Sequence, residues 1–243
     1  DPMPSPKIPT KPDANVREIT ESFYRVRRLL GYLGFALPLV LIFGALLTRA
    51  ELEPSISDFY HTVLRDVYVG VLITIGVFLV SYQGYERKEG EPFSDNLLAT
   101  FAGILAFGVA LFPNETLNQV ETTFAQTIMG IKATSLAHYV CAILFLLCLA
   151  AFCFVRFAQT NNPSRRKTYT RCGWIIILSA VFAIGFSVVK VSGIDPYKTY
   201  VDDWSLVFWA ETVAVWAFSY AWLIKGHFDE LSLLKPLNLI DRS

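Results

Sequence analysis

The sequence has little charge, and it lacks the short motifs that identify many soluble enzymes. Charged residues make up 17% of the chain and the formal net charge is zero, so no basic stripe is present that would indicate nucleic-acid binding. There is no glycine-rich phosphate loop, no GxSxG elbow, no haem motif and no HxxxH or HExxH spacing. These absences exclude the corresponding locally encoded sites.

The sequence has only four cysteines, and none lies in a polar connecting segment. All four cysteines lie within long apolar runs, and none forms a CxxC pair: Cys141, Cys148, Cys153 and Cys172. A disulfide would be expected in an outer loop, and a zinc–thiolate or redox site would need closely spaced thiols. We therefore interpret the four thiols as buried apolar side chains.

What the sequence has in abundance is apolar residues, which account for 53% of the chain with a mean hydropathy of +0.44. They are concentrated in six runs of about 18–23 residues, close to the ~20 that a helix needs to cross ~30 Å of hydrocarbon. The sequence therefore predicts an all-α polytopic membrane protein with a six-helix transmembrane bundle. The runs are Leu29–Thr48, Val67–Tyr85, Asn96–Pro113, Ser135–Phe157, Cys172–Ser192 and Ser205–Lys225.

The distribution of lysine and arginine predicts the orientation of this bundle. Sixteen of these residues lie in the two terminal segments and the second and fourth connections, and four lie in the remaining connections. Basic residues accumulate on the cytoplasmic side, so both termini are predicted to be cytoplasmic. The predicted organisation is a disordered N-terminal arm over residues 1–28, a transmembrane domain over 29–225 and a cytoplasmic tail over 226–243.

A polar segment, EPSISDFYHTVLRDVYVG at residues 53–70, separates the first two apolar runs on the predicted non-cytoplasmic side. Ser57 is a candidate N-cap for an interfacial helix over residues 58–66, with Asp58, His61 and Arg65 on its polar face. Phe59, Tyr60 and Val63 would then contact lipid. Candidate headgroup-binding residues in this segment are Ser55, Ser57, Tyr60, Arg65 and Asp66.

Ionisable residues inside the apolar runs are costly to bury and indicate functional sites. Glu211 lies about two turns into the last run, Lys190 near the end of the fifth, and His138 one turn into the fourth. Glu211 and Lys190 are at similar depth and could form a buried pair; alternatively, Lys190 snorkels to the interface. Lys190 and Asp203 complete the predicted binding residues.

The topology assigns two histidines and several carboxylates to this same side of the membrane. Such groups can perform acid–base chemistry or hold a metal ion. Asp58, His61, His138 and Glu211 are therefore the candidate catalytic residues. His61, His138 and Asp58 are the candidate metal ligands, and zinc is the metal that they would hold. The alternative is a polar network that binds lipid headgroups or has only a structural role.

With these spans and this loop, the chain resembles the FRAG/DRAM/Sfk superfamily of six-helix membrane proteins and its bacterial relatives of unknown function. Three segments carry the resemblance: Ser55-Ile56-Ser57-Asp58 in the first outer loop, His138 with Ala142 and Phe145 opening the fourth helix, and Glu211 in the last. The resemblance covers about residues 29–225. It implies a connection with lipids, because members are tied to glycosylphosphatidylinositol remodelling, phospholipid distribution across the bilayer and autophagy.

The pair Ser57-x-x-x-His61 also resembles the serine and histidine of alkaline-ceramidase-like intramembrane hydrolases. That resemblance implies a zinc ion that activates water, with a carboxylate such as Asp58 or Glu211 completing the ligand set. Three functions follow as expectations. The first is a membrane protein that binds lipids through an outward-facing polar pocket. The second is a metal-dependent or acid–base lipid hydrolase or acyltransferase. The third is a small proton-coupled transporter that uses Glu211 and Lys190.

Overall fold

The computed structural model describes residues 14–84, 94–115 and 123–234. Every regular element within these ranges is helical, which confirms the all-α prediction. A short 3-10 helix, Ser57–His61, precedes α2, and a π-helical segment, Phe152–Phe157, continues α5. The α-helices are α1 Ala14–Thr48, α2 Arg65–Val80, α3 Asp95–Leu111, α4 Phe124–Met129, α5 Ile131–Ala151, α6 Pro163–Ser192, α7 Tyr197–Asp203 and α8 Leu206–Leu234.

Four helical segments in the described ranges are long and apolar enough to cross a membrane: Glu18–Thr48, Ile131–Phe157, Pro163–Ser192 and Leu206–Glu230. Their outer surfaces are apolar, with Leu47, Phe43 and Phe182 more than half exposed. The protein is therefore an integral membrane protein. Helices α2 and α3 contain 16 and 17 residues, which at 1.5 Å per residue is only about 24–26 Å.

The helix ends follow recognisable capping chemistry. The Ser94 side chain accepts a hydrogen bond from Leu97 N–H and starts α3. Asn162 caps α6, where Pro163 occupies the first turn and loses no intrahelical hydrogen bond. Helix α6 ends at Gly193, which has φ +68°, a left-handed conformation that glycine adopts without a steric penalty.

Two predicted boundaries are corrected by the structure. Helix α1 begins at Ala14, so the predicted disordered arm is helical from that residue, and α8 extends beyond residue 225 to Leu234. The extensions are joined to each other, because Arg27 pairs with Asp229 and Arg28 pairs with Glu230. The rest of both terminal predictions, residues 1–13 and 235–243, lies outside the described residues.

Six helices form a ring in which each contacts two neighbours, in the order α1, α2, α3, α5, α6 and α8. Neighbours run antiparallel, as the contacts of Gly76 with Phe107 and of Val80 with Gly103 illustrate for α2 and α3. A side chain at Gly103 would lie 2.7 Å from the Gly76 carbonyl oxygen, so glycine is required at this crossing. The antiparallel ring brings residues 51–62, 112–114, 138 and 187–211 together at one end, here called the cavity end.

Candidate functional site in the cavity end

The segment that precedes α2 is held against the start of α8. Phe208 N–H donates to the Pro54 carbonyl at 2.8 Å, and the Ser205 hydroxyl donates to the Leu52 carbonyl at 3.2 Å. Ile56 N–H donates to Glu211 Oε2 at 2.8 Å. These bonds fix the polar segment over the mouth of the bundle, and Glu211 is one of its anchors.

The predicted interfacial helix over residues 58–66 is not formed. The chain makes one 3-10 turn and then starts α2 at Arg65, while Ser55 rather than Ser57 accepts a hydrogen bond from Asp58 N–H. Phe59 and Tyr60 are buried, not lipid-facing, because they pack on aromatic rings of neighbouring elements. Val63 is exposed, as expected.

Ser57 and His138 form a direct hydrogen bond across the cavity end. The Ser57 Oγ to His138 Nε2 distance is 2.9 Å, and His138 Nδ1 lies 2.6 Å from the Phe112 carbonyl oxygen. A carbonyl oxygen only accepts, so Nδ1 carries the proton and donates to Phe112. In the neutral imidazole Nε2 is then an acceptor, and the Ser57 hydroxyl donates to it. Both side chains are more than 90% buried.

Asp58 lies at the centre of a second set of hydrogen bonds. Its Oδ2 pairs with Lys190 Nζ at 2.5 Å, and its Oδ1 accepts from Asn114 Nδ2 at 2.6 Å. His61 Nε2 lies 3.0 Å from the Asn114 carbonyl and 3.1 Å from Asn114 Oδ1, so the imidazole donates to both. The predicted pair of Lys190 with Glu211 is therefore replaced by a pair of Lys190 with Asp58.

A cavity of about 530 Å³ lies beside these groups, between α5 and α6. Its polar end is formed by Ser55, Ser57, Asn114, His138, Lys190 and Glu211. The remainder is largely apolar, and its lining includes Ala142, Ile143, Leu146, Ala180, Ala183 and Ile184. The side chains of Ile143 and Ile184 are more than a third exposed, so the cavity lies next to the lipid-facing surface of the two helices.

The structure separates the predicted site residues into groups. The cavity is lined by five of them: Ser55, Ser57, His138, Lys190 and Glu211. Asp58 and His61 do not line it, but they contact the lining residues Lys190 and Asn114, respectively.

The remaining predicted binding residues lie elsewhere. Arg65 donates to the Tyr60 hydroxyl at 2.9 Å and stacks on its ring, and Asp66 is exposed. Asp203 lines a different cavity of about 680 Å³ together with Glu51 and Glu53. Neither Tyr60, Arg65 nor Asp66 lines the cavity between α5 and α6.

The predicted metal ligands are not arranged as a metal site. Within residues 14–84, 94–115 and 123–234, no group of three histidine, cysteine or carboxylate side chains is placed to hold a metal ion. Each predicted ligand already has another partner: Phe112 and Ser57 for His138, Asn114 for His61, and Lys190 for Asp58. The residues that the structure describes at this site therefore do not fit a zinc ion. All four cysteines are free thiols.

Two contributors were not predicted from the sequence. Asn114 is 3% exposed and links Asp58 to His61, and the Phe112 carbonyl orients His138. Both lie just after α3, where the Phe112 backbone becomes extended and ends the helix. The sequence signal was Pro113, which follows an apolar run, because a proline shortly after such a run is typical of a helix stop.

Glu53 lies at the rim of the cavity end, outside the membrane-spanning segments. Burial disfavours its charged form and, with repulsion from Asp58, raises the pKa of Glu53 to about 6; Lys190 opposes this shift. The carboxyl group therefore changes charge within a physiologically accessible pH range.

Comparison with known proteins adds no relative: no family model, no curated protein and no solved structure matches this chain.

Proposed function

We propose that this integral membrane protein binds a lipid in the cavity between α5 and α6. The observation that carries the proposal is the division of one cavity into a polar end and an apolar remainder. Its volume of about 530 Å³ lies within the range of ~300–1,000 Å³ that is usual for ligand pockets. A molecule with a polar head and an apolar chain is complementary to both parts.

The polar end supplies hydrogen-bonding groups of several kinds. The Lys190 ammonium and the Ser55 hydroxyl offer donors, while Glu211 offers a carboxyl group that accepts from Ile56 N–H. Lys190 is neutralised by Asp58, so the site does not present an isolated positive charge. A headgroup with its own donors and acceptors, rather than a bare anion, suits this arrangement.

The apolar part suits an acyl chain. Three small residues, Ala142, Ala180 and Ala183, leave space between the two helices, and Ile143 and Ile184 border that space near the lipid-facing surface. An acyl chain that moves from the bilayer into this groove stays in apolar surroundings, so van der Waals packing against the two helices is what holds it there. A lipid would enter from the side of the bundle and place its headgroup next to His138.

We further propose that all six helices of the ring cross the bilayer, with the cavity end on the non-cytoplasmic side. In support, α2 and α3 run antiparallel to their neighbours in the same ring as the four longer spans. A helix of about 24 Å spans the hydrocarbon core when the bilayer thins locally or flanking residues snorkel. The excess of lysine and arginine in the other connections supports this orientation.

Membership of the FRAG/DRAM/Sfk superfamily is part of the same proposal. The three segments that carry the resemblance are far apart in sequence, at residues 55–58, 138 and 211. Ser57 bonds to His138 and Ile56 bonds to Glu211, so the three segments meet at one place. This convergence is what a shared lipid site would require.

The test is to fill the apolar part of the cavity. Ile184→Trp places a large ring in the groove, and Val181→Trp makes the same kind of change at an exposed position of α6 that does not line it. Each protein is purified in mild detergent, and its bound lipids are quantified by mass spectrometry. We expect wild type and Val181→Trp to retain a defined lipid at near one per chain, and Ile184→Trp to lose most of it.

Two results would contradict lipid binding at this site. One is an unselective mixture of lipids in wild type that matches the membrane composition. The other is equal retention of the bound lipid in Ile184→Trp and Val181→Trp.

A further inference from the structure

We propose that Ser57 is a nucleophile activated by His138, and that the protein transfers the acyl group of a lipid ester held in the cavity. This inference rests on the proposed lipid-binding function, because the lipid is the acyl donor. Both side chains line the polar end of the cavity, next to its apolar part. A carbonyl group at the junction of headgroup and acyl chain would lie beside Ser57.

The geometry is that of a serine and its general base. Ser57 Oγ donates to His138 Nε2 at 2.9 Å, and His138 Nδ1–H donates to the Phe112 carbonyl at 2.6 Å. A hydroxyl is a weak nucleophile until a neighbouring base removes its proton, and a third group must hold the base in the correct tautomer. The Phe112 carbonyl is that third group here.

Ser57 differs from the other hydroxyls around the cavity. Among the residues that the structure describes, it is the one hydroxyl that donates to an imidazole. Ser55 Oγ accepts from Asp58 N–H, and Ser187 also lines the cavity but has no histidine partner in the described ranges. Within this part of the chain, only the Ser57 position therefore combines access to the cavity with a base.

Backbone anchoring gives Ser57 a fixed position. Glu211 accepts from Ile56 N–H, the residue immediately before Ser57, and Asp58, immediately after it, is held by Lys190 and Asn114. Glu211 is thus a positioning residue, since it acts on Ser57 through the backbone. Glu211 therefore has a role at the cavity end although it bonds to neither His61 nor His138 in the described part of the chain.

The reaction proceeds in two balanced halves. Ser57 Oγ attacks the ester carbonyl carbon while His138 Nε2 accepts the hydroxyl proton. The bond from that carbon to the alcohol oxygen breaks, and the leaving alcohol takes the proton from His138. The acyl–serine ester then reacts with water or with a second lipid hydroxyl, whose proton passes through His138 back to Ser57. Water gives hydrolysis, and a lipid hydroxyl gives acyl exchange.

The test uses a fluorophosphonate, which phosphonylates activated serines, on the full-length protein in mild detergent. Intact mass and peptide mapping measure the extent and position of the adduct. We expect one adduct per chain on Ser57, absent in Ser57→Ala and formed at least about 100-fold more slowly in His138→Gln, in line with loss of a general base. Ser164→Ala, at an exposed position of α6 that does not line the cavity, is the matched control and should be labelled like wild type.

Bound lipid, measured in the same samples, separates this proposal from the lipid-binding proposal. If lipid is bound but wild-type Ser57 carries no adduct, the assignment of Ser57 as a nucleophile is overturned and the lipid-binding proposal stands. If Ser57 carries an adduct but no lipid is bound, Ser57 is supported as a nucleophile, and the proposal that a lipid is the acyl donor is contradicted. An adduct on another residue also overturns the proposal. Because the adduct is mapped on the wild-type protein, these outcomes can be distinguished even if Ser57→Ala fails to fold.

The acceptor is identified with a synthetic lipid ester whose acyl chain is isotopically labelled. Release of labelled fatty acid that depends on Ser57 indicates water as the acceptor. Labelled acyl groups on a second added lipid alcohol indicate exchange. The assay uses untreated protein from a preparation whose Ser57 reacts with the fluorophosphonate. If such protein forms neither product, acyl transfer to these acceptors is overturned.

Discussion

The two ends of the bundle use polar side chains in different ways. At the end opposite the cavity, defined by Arg27, Asp95, Arg156, Trp222 and Asp229 and here called the closed end, arginines pair with carboxylates between helices. The Arg27 guanidinium lies 5.3 Å from the Trp222 ring centre, and Trp222 Nε1–H donates to the Arg27 carbonyl at 2.8 Å. Aromatic rings therefore cover the charges.

Around the cavity between α5 and α6, Lys190 pairs with Asp58 and most of the other polar groups are neutral. Hydroxyl, amide and imidazole side chains surround the pocket, and the Lys190 side chain remains 26% exposed. Guanidinium groups are always charged and hold carboxylates rigidly, whereas hydroxyl and imidazole groups exchange protons and partners. The closed end thus joins helices, whereas the cavity end carries the groups that the proposed lipid binding and acyl transfer would use.

The largest expected effect is at the closed end. Arg156→Met leaves the carboxylate of Asp95, which is 5% exposed, without its arginine, and breaking a buried pair in this way costs about 3–5 kcal/mol. We expect a loss of that size in the free energy of unfolding, measured by denaturation in mixed micelles. Replacing both residues, as Asp95→Leu with Arg156→Met, should recover much of it.

Arg171→Met, at an exposed position of α6, is the matched control and should change stability by less than about 0.5 kcal/mol. If Arg156→Met lowered the free energy of unfolding no more than this control does, the ion pairs of the closed end would not be holding the helices together.

A smaller effect is expected for the lysine pair at the cavity end. Lys190→Met removes the ammonium from Asp58, but Asn114 still donates to that carboxylate, and the Lys190 side chain is already 26% exposed. A hydrogen bond to a charged group contributes about 1.5–3 kcal/mol, and partial exposure puts the expected loss at the low end of this range. The same mixed-micelle denaturation measures it, and the amount of bound lipid should fall as well.

Lys132→Met removes an exposed lysine near the start of α5 and serves as the control. A loss of stability in Lys190→Met as large as in Arg156→Met would show that both ends depend equally on their ion pairs.

The smallest expected effect concerns Glu53. Burial raises the pKa of this carboxyl group to about 6, so its charge depends on pH. A carboxyl group with a raised pKa in the folded state binds more protons when folded, so its contribution to stability falls as pH rises from about 4.5 to about 6 and is constant above. After allowance for its partial exposure, this change is about 1 kcal/mol.

Glu53→Gln removes the titration, so the variant should match wild type at pH 4.5 and exceed it by about 1 kcal/mol at pH 7 in thermal unfolding. Asp66→Asn, which removes an exposed carboxylate from the same end, is the control for net charge. Parallel pH profiles of wild type and Glu53→Gln would contradict the prediction.

Much of the fold was predictable because membrane helices are encoded locally. Each long apolar run corresponds to a helix, since a run of apolar residues in lipid must satisfy its own backbone hydrogen bonds. The boundaries were less predictable. Helix α1 starts well before its apolar run because Arg27 and Arg28 find partners near the end of α8, some 200 residues away, and such pairing has no local signal.

The candidate site was predictable in its residue types but not in its pairings. Costly polar residues in apolar runs identified His138, Lys190 and Glu211, and all three line the cavity. The partners predicted for these residues differ from those in the structure, because the depth of a residue along a helix does not determine the direction in which its side chain points. Lys190 contacts Asp58 instead of Glu211, and His138 contacts Ser57 instead of a metal ion.

By itself, the sequence determined that this chain is helical, that it resides in a membrane and that polar chemistry interrupts its apolar runs. These properties depend on the cost of placing unpaired backbone and charged groups in hydrocarbon, which each segment meets on its own. Only the tertiary structure decided that Ser57 donates to His138, that the Phe112 carbonyl holds the ring and that a cavity adjoins them. Those contacts depend on how α3, α5 and α6 are rotated and spaced, which is set by packing across the whole ring.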